Sequence, residues 1–104
     1  MQVQVNTDRH IEASVALAER VQATVESTLA RFSERITRVE VHLSDENGAV
    51  KGGFDMRCMM EARVNTRPPT VVTATAATLD EAIAGAAAKL ERAIENMLGR
   101  LNDR

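Results

Sequence analysis

At 104 residues, with 44% hydrophobic and 27% charged side chains, the chain has the size and apolar content of one domain, 1–104, and too much apolar surface to be disordered. Its formal charge of -2 is spread evenly, leaving no charged tail, and Phe32 and Phe54 are the only aromatics, which excludes a platform for stacking bases. Cys58 is the only cysteine, so no intramolecular disulfide forms, and no run approaches the ~18 apolar residues of a membrane span.

Met1-Gln-Val-Gln-Val-Asn6 alternates instead of giving a targeting segment, so the chain reads as soluble and cytoplasmic. The same alternation predicts a first strand over about residues 2 to 7. Ser14 is placed to cap a helix over about 15 to 32, whose Leu17, Val21, Val25, Leu29 and Phe32 form one apolar stripe. From Ile36 to Ser44 the period becomes two, with Val39, Val41 and Leu43 on one face and Arg38, Glu40 and His42 on the other. Asp45–Gly48 and Lys51–Gly53 supply turn chemistry for a loose hairpin into a third strand, about 54 to 65. There Phe54, Met56, Cys58, Met60, Ala62 and Val64 share the inner face. Arg67-Pro68-Pro69 breaks the chain before a fourth strand, about 70 to 76.

Thr78, with Glu81 three residues on, caps a second helix over about 79 to 101. Its stripe is Leu79, Ile83, Ala86, Ala87, Leu90, Ile94, Met97 and Leu101, and its slim first half suits close approach. The order β-α-β-β-β-α predicts an α+β fold: a four-stranded antiparallel sheet with two helices side by side on one face.

Catalytic groups are scarce. His42 shares a solvated sheet face with Glu40, His10 sits at a turn, and Cys58 falls on the buried face. The glycines at 48, 52 and 53 spell no phosphate loop, and the carboxylate pairs Asp45-Glu46 and Asp80-Glu81 are explained by a turn and a helix first turn. No enzyme activity, cofactor, metal site or small-molecule substrate is expected.

The helix flanks say more. At about 100° per residue, Arg92, Asn96 and Arg100 fall within about 60° of Lys89, while Glu91 and Glu95 fall on the opposite flank. Arg20, Thr24, Ser27 and Arg31 align on helix one, so two basic ridges are expected to hold phosphates across the gap between the helices. Eleven of the thirteen cations are Arg, which suits planar bidentate contacts.

His10-Ile-Glu-Ala-Ser14, Leu79-Asp-Glu-Ala-Ile83 and Lys89-Leu-Glu-Arg92, in this order, resemble the ribosome hibernation-promoting factors, also called ribosome-associated inhibitor or sigma-54 modulation proteins. The resemblance spans nearly the whole chain. It implies a fold similar to double-stranded RNA-binding domains with one added strand. It also implies a noncatalytic, steric role on the small ribosomal subunit, in the channel of messenger and transfer RNA. Lys89 and Arg92 fall on the family's basic positions and Arg100 extends that flank; Arg20 and Arg31 join them from helix geometry alone. Glu95-Asn96-Met97-Leu98 stands where family members continue with cations, and Thr24 replaces a common lysine, so weaker phosphate affinity is expected. Because the sequence stops at Arg104, the resemblance leads one to expect a short form, without the carboxy-terminal dimerisation domain of long members. The competing reading is a protein-interaction module using Arg38, Glu40, His42, Arg57, Glu61 and Arg63 on the open sheet face. An open sheet edge would also admit weak pairing of two copies.

Overall fold

The computed structural model describes residues 1–46 and 55–102, with side chains through residue 99. Strand β1 (Gln2–Thr7) is followed by helix α1 (Val15–Thr28), strands β2 (Ile36–Asp45), β3 (Met56–Val64) and β4 (Thr70–Ala76), and helix α2 (Leu79–Asn102). The sheet runs in the order β1-β2-β3-β4.

The expected all-antiparallel sheet is corrected at its first pair. β2, β3 and β4 form an antiparallel meander, but β1 lies parallel to β2, with Val3 opposite Val39 and Val5 opposite Val41. The reason is the connection. A chain that leaves β1 through a helix on one face returns to the starting end of the sheet and must run the next strand in the same direction. The sheet is therefore mixed.

Both caps form as the residues require. The Leu17 N–H donates to the Ser14 hydroxyl at 3.0 Å, and the Glu81 N–H donates to Thr78 Oγ1 at 3.2 Å while that hydroxyl donates to the Glu81 carboxylate. Helix α1 stops at Thr28, four residues before the expected end, and Ala30–Phe32 continue as a 3-10 turn. Tightening of the last turn is a common way to satisfy terminal carbonyls. The expected Asp45–Gly53 hairpin and Phe54 lie largely outside the described residues, as does the Leu101 side chain.

One core fills the space between sheet and helices. Leu17, Val21, Val25 and Leu29 of the α1 side meet Val39, Val41 and Leu43 from β2 and Cys58, Met60, Ala62 and Val64 from β3, all buried. From α2 come Ile83, Ala86, Ala87, Leu90 and Ile94, together with Ala82 and Leu98, which the apolar stripe read from the sequence had omitted. At Gly85 an added Cβ would sit 3.4 Å from the Ala74 Cβ on β4, so small residues do let α2 ride close to the sheet.

Candidate nucleic-acid interface

Basic side chains follow from how each helix is rolled by its buried stripe. On α1 the stripe turns Arg20 toward α2, and Arg31 follows in the 3-10 turn. There Arg20 pairs with Asp80 at 3.4 Å, and Arg31 pairs with Glu91 at 3.5 Å and with Glu95. The Arg31 guanidinium also lies over the Phe32 ring, 4.5 Å from its centroid. Its pKa is raised, first by the hydrogen bond to Glu95.

The two basic ridges facing one another across the helix gap are thus not what the structure shows. Glu91 and Glu95 do occupy the flank of α2 opposite Lys89, but that flank is the one α1 packs beside. The gap is bridged by ion pairs between exposed groups.

Lys89 and Arg92 project on the other side of α2, along the outer edge of β4. The Lys89 ammonium donates to the Thr73 carbonyl at 2.8 Å. Arg92 is exposed and forms no ion pair among the described residues. The Arg100 side chain lies outside the described residues. Helix α2 runs antiparallel to β4, with Lys89 beside Thr73 and Met97 against Thr70. Arg92 therefore lies over the stretch of edge that leads to the Arg67-Pro68-Pro69 turn.

At that end of the sheet three further arginines gather. The Asn65 N–H donates to the Arg35 carbonyl at 3.0 Å and the Arg67 N–H to the Val64 carbonyl at 3.0 Å, which brings the start of β2 against the end of β3. Arg63 sits directly across from Arg38 in the β2–β3 ladder, an arrangement that costs stability between like charges. Arg38 is offset by Glu40 at 3.5 Å. Arg35, Arg63 and Arg67 are exposed and make no ion pair among the described residues. Nothing in the sequence joins this corner, because Arg35 stands 28 and 32 positions from Arg63 and Arg67. The signal that reveals it is antiparallel pairing of the two strands, which folds the first residues of one onto the last of the other.

Of the acids, Glu19 and Glu26 are exposed along α1, Asp80, Glu91 and Glu95 of α2 are turned to Arg20 and Arg31, and Glu34 and Glu61 lie close to Arg35 and Arg63 in sequence. A net charge of -2 thus hides a set of exposed cations, Arg92, Arg67, Arg63 and Arg35, that make no ion pair among the described residues.

The remaining chemistry is quiet. Cys58 is fully buried, and burial pushes its thiol up to about 12. His42 lines a shallow depression of about 300 Å³ with Asn6, Ser44, Arg57 and Met59 on the open sheet face. Asp8, at its rim, already accepts from the backbone N–H groups of His10 and Asp45, and Arg57 leans to Glu46 at 3.6 Å. Among the described residues no helix is long and apolar enough to cross a membrane.

Against this geometry the comparisons are specific. Residues 4–102 match the family model described as Sigma 54 modulation protein / S30EA ribosomal protein. Two solved structures share the fold. The Protein Y N-terminal domain of Thermus thermophilus is 22% identical with a TM-score of 0.66, over 93% of this chain and 99% of that one. A ribosomal subunit interface protein from Coxiella burnetii is 13% identical with a TM-score of 0.70, over 95% and 99%. Among curated proteins no match is found.

Proposed function

Because the chain belongs to the Sigma 54 modulation protein / S30EA ribosomal protein family, we propose that it is a cytoplasmic, noncatalytic hibernation factor that docks on the small ribosomal subunit and occludes the channel of messenger and transfer RNA. The observation that carries the RNA contact is the run of exposed arginines without acidic partners, Arg92, Arg67, Arg63 and Arg35. A guanidinium presents a planar fork that takes two phosphate oxygens at once, and each contact releases condensed counterions. Arg100 is added to this set on helix spacing alone.

Lys89 contributes at a cost, since its ammonium must leave the Thr73 carbonyl or share it. Arg20 and Arg31 must exchange carboxylates for phosphates, so they add less per residue than Arg92. Recognition is of the RNA backbone and its shape: among the described residues the one aromatic ring, Phe32, is half-buried beneath Arg31 and offers no open face to a base. A folded, well-packed domain held by such contacts inhibits by occupying space, and no group transfer is required.

The test is cosedimentation of the purified protein with ribosomes and with isolated small subunits at rising salt. Comigration with the small subunit that weakens with salt is expected. The double variant Lys89→Glu with Arg92→Glu should lose it, since both side chains lie off the core. Comigration that survives this reversal together with Arg67→Glu would overturn the proposed interface. Absence of comigration at low salt would overturn the function and favour a protein partner on the open sheet face.

A further inference from the structure

The two edges of the sheet are treated differently. In β4 the alternation of the ladder with β3 leaves the backbone groups of Val71, Thr73 and Thr75 facing outward. The Thr73 carbonyl among them is taken by Lys89, and Pro68-Pro69 stands just before the strand. Lysine and proline at an edge are recognised ways of blocking further strand pairing.

Strand β1 has neither. The Asp8 N–H donates to the Leu43 carbonyl at 3.0 Å. By the alternation of a parallel ladder Gln2, Gln4 and Asn6 then turn their backbone groups to β2, and Val3, Val5 and Thr7 turn theirs outward. Gln-Val-Gln-Val-Asn-Thr contains no charge and no proline. It also reads nearly the same in both directions about Gln4, as polar, apolar, polar, apolar, polar.

We propose that β1 is the edge through which a second copy of this chain docks, antiparallel and two-fold symmetric about Gln4. In that register Val3 of one copy faces the partner's Val5, Gln2 faces the partner's Asn6, and Gln4 faces itself. Each Val3–Val5 pair exchanges both of its N–H···O=C bonds, satisfying groups that now point outward. The half-buried Val3 and Val5 side chains continue the core-facing row into the partner. A register slipped by one residue sets valine against glutamine and mixes the two faces, so the pattern selects one alignment. Helix α1 supports the joint: the flank turned away from α2 carries Val15, which is 75% exposed, with Ala18 and Gln22 one and two turns on. An isologous contact of this kind closes on itself and adds no further copies. The pairing is independent of the RNA-binding reading.

The experiment uses the full chain with three changes at Gln4, which is exposed. The wild-type protein is expected to show a reversible monomer–dimer equilibrium in sedimentation velocity. Gln4→Lys and Gln4→Glu should each sediment as monomers, since like charges then oppose one another on the axis, and an equimolar mixture of the two should restore the dimer. Gln4→Cys should oxidise to a disulfide-linked dimer much faster than Thr75→Cys on the guarded edge. A non-hydrogen-bonded pair brings the two Cα atoms to about 4.5 Å, within reach of the bond. A wild-type protein monomeric at its highest soluble concentration, with Gln4→Cys no faster than Thr75→Cys, would overturn the proposal. So would a dimer that Gln4→Lys and Gln4→Glu leave undiminished.

Discussion

Cys58 illustrates how strongly position decides chemistry for a single residue. Its thiol keeps its proton up to about pH 12 in the folded chain, against an ordinary value of 9.0. The folded state therefore binds one proton more than the unfolded state in that window. The thiol's contribution to stability is full below about pH 9 and is lost as the pH rises toward 12. Denaturant titrations between about pH 8 and about pH 11 should show stability falling more steeply for the wild type than for Cys58→Ala. Alkylating reagents should leave Cys58 unmodified until the protein unfolds, because the nucleophile is the thiolate. Among the cations, Arg31 and Arg92 are both exposed, yet one is engaged by Glu91 and Glu95 and the other is not. Reversal of Arg92 to Glu should weaken ribosome binding more than reversal of Arg31.

At the scale of elements, the caps and stripes carry the argument. Ser14→Ala removes the acceptor for the Leu17 N–H and should cost about 1 kcal/mol in chemical denaturation. Leu90→Ala opens a cavity beneath α2 and should cost about 2–5 kcal/mol. Gly85→Ala should stabilise by about 0.5–1 kcal/mol, since its methyl meets Ala74 at contact distance; Gly85→Leu should destabilise, having no room against β4. Most of this was legible in the sequence. β1, β4 and the start of α2 stand where alternation, Pro68-Pro69 and Thr78 put them. The end of α1 did not, because Leu29 and Phe32 extend the helical spacing while the backbone tightens into a 3-10 turn. Nor does hydrophobic period tell parallel from antiparallel, which depends on the connection.

For the molecule as a whole, net charge is a poor guide to its partners. Three acids of α2, Asp80, Glu91 and Glu95, lie in the helix gap against Arg20 and Arg31, and Arg35, Arg63 and Arg67, exposed and without ion pairs among the described residues, sit around the far corner of the sheet. A single helical wheel orders the residues of one helix correctly but says nothing about what the other helix sets against them. That is why Arg20 and Arg31 aligned as expected and still met Asp80, Glu91 and Glu95. It is also why Arg63, read as part of the open sheet face, and Arg67, read as part of a chain break, were not joined with Arg35, since the three share no element. Exposed cations of this kind orient the protein as it approaches a polyanion. Each phosphate contact removed by mutation in the Arg92–Arg67–Arg35 tract should flatten the log–log salt dependence of ribosome binding by roughly 0.7–0.9.

The outward N–H groups of Val3, Val5 and Thr7 also set a clock. Amide protons that point to solvent exchange without any opening of the sheet, whereas those of β3, bonded to a strand on either side, wait for the fold to open. The first strand should therefore show alternating fast and slow exchange, residue by residue. In dilute solution Val3 and Val5 should be among the quickest amides of the sheet. As concentration rises and copies pair, these outward amides should slow while the other edge strand is unchanged, turning the edge into a reporter of its own occupancy.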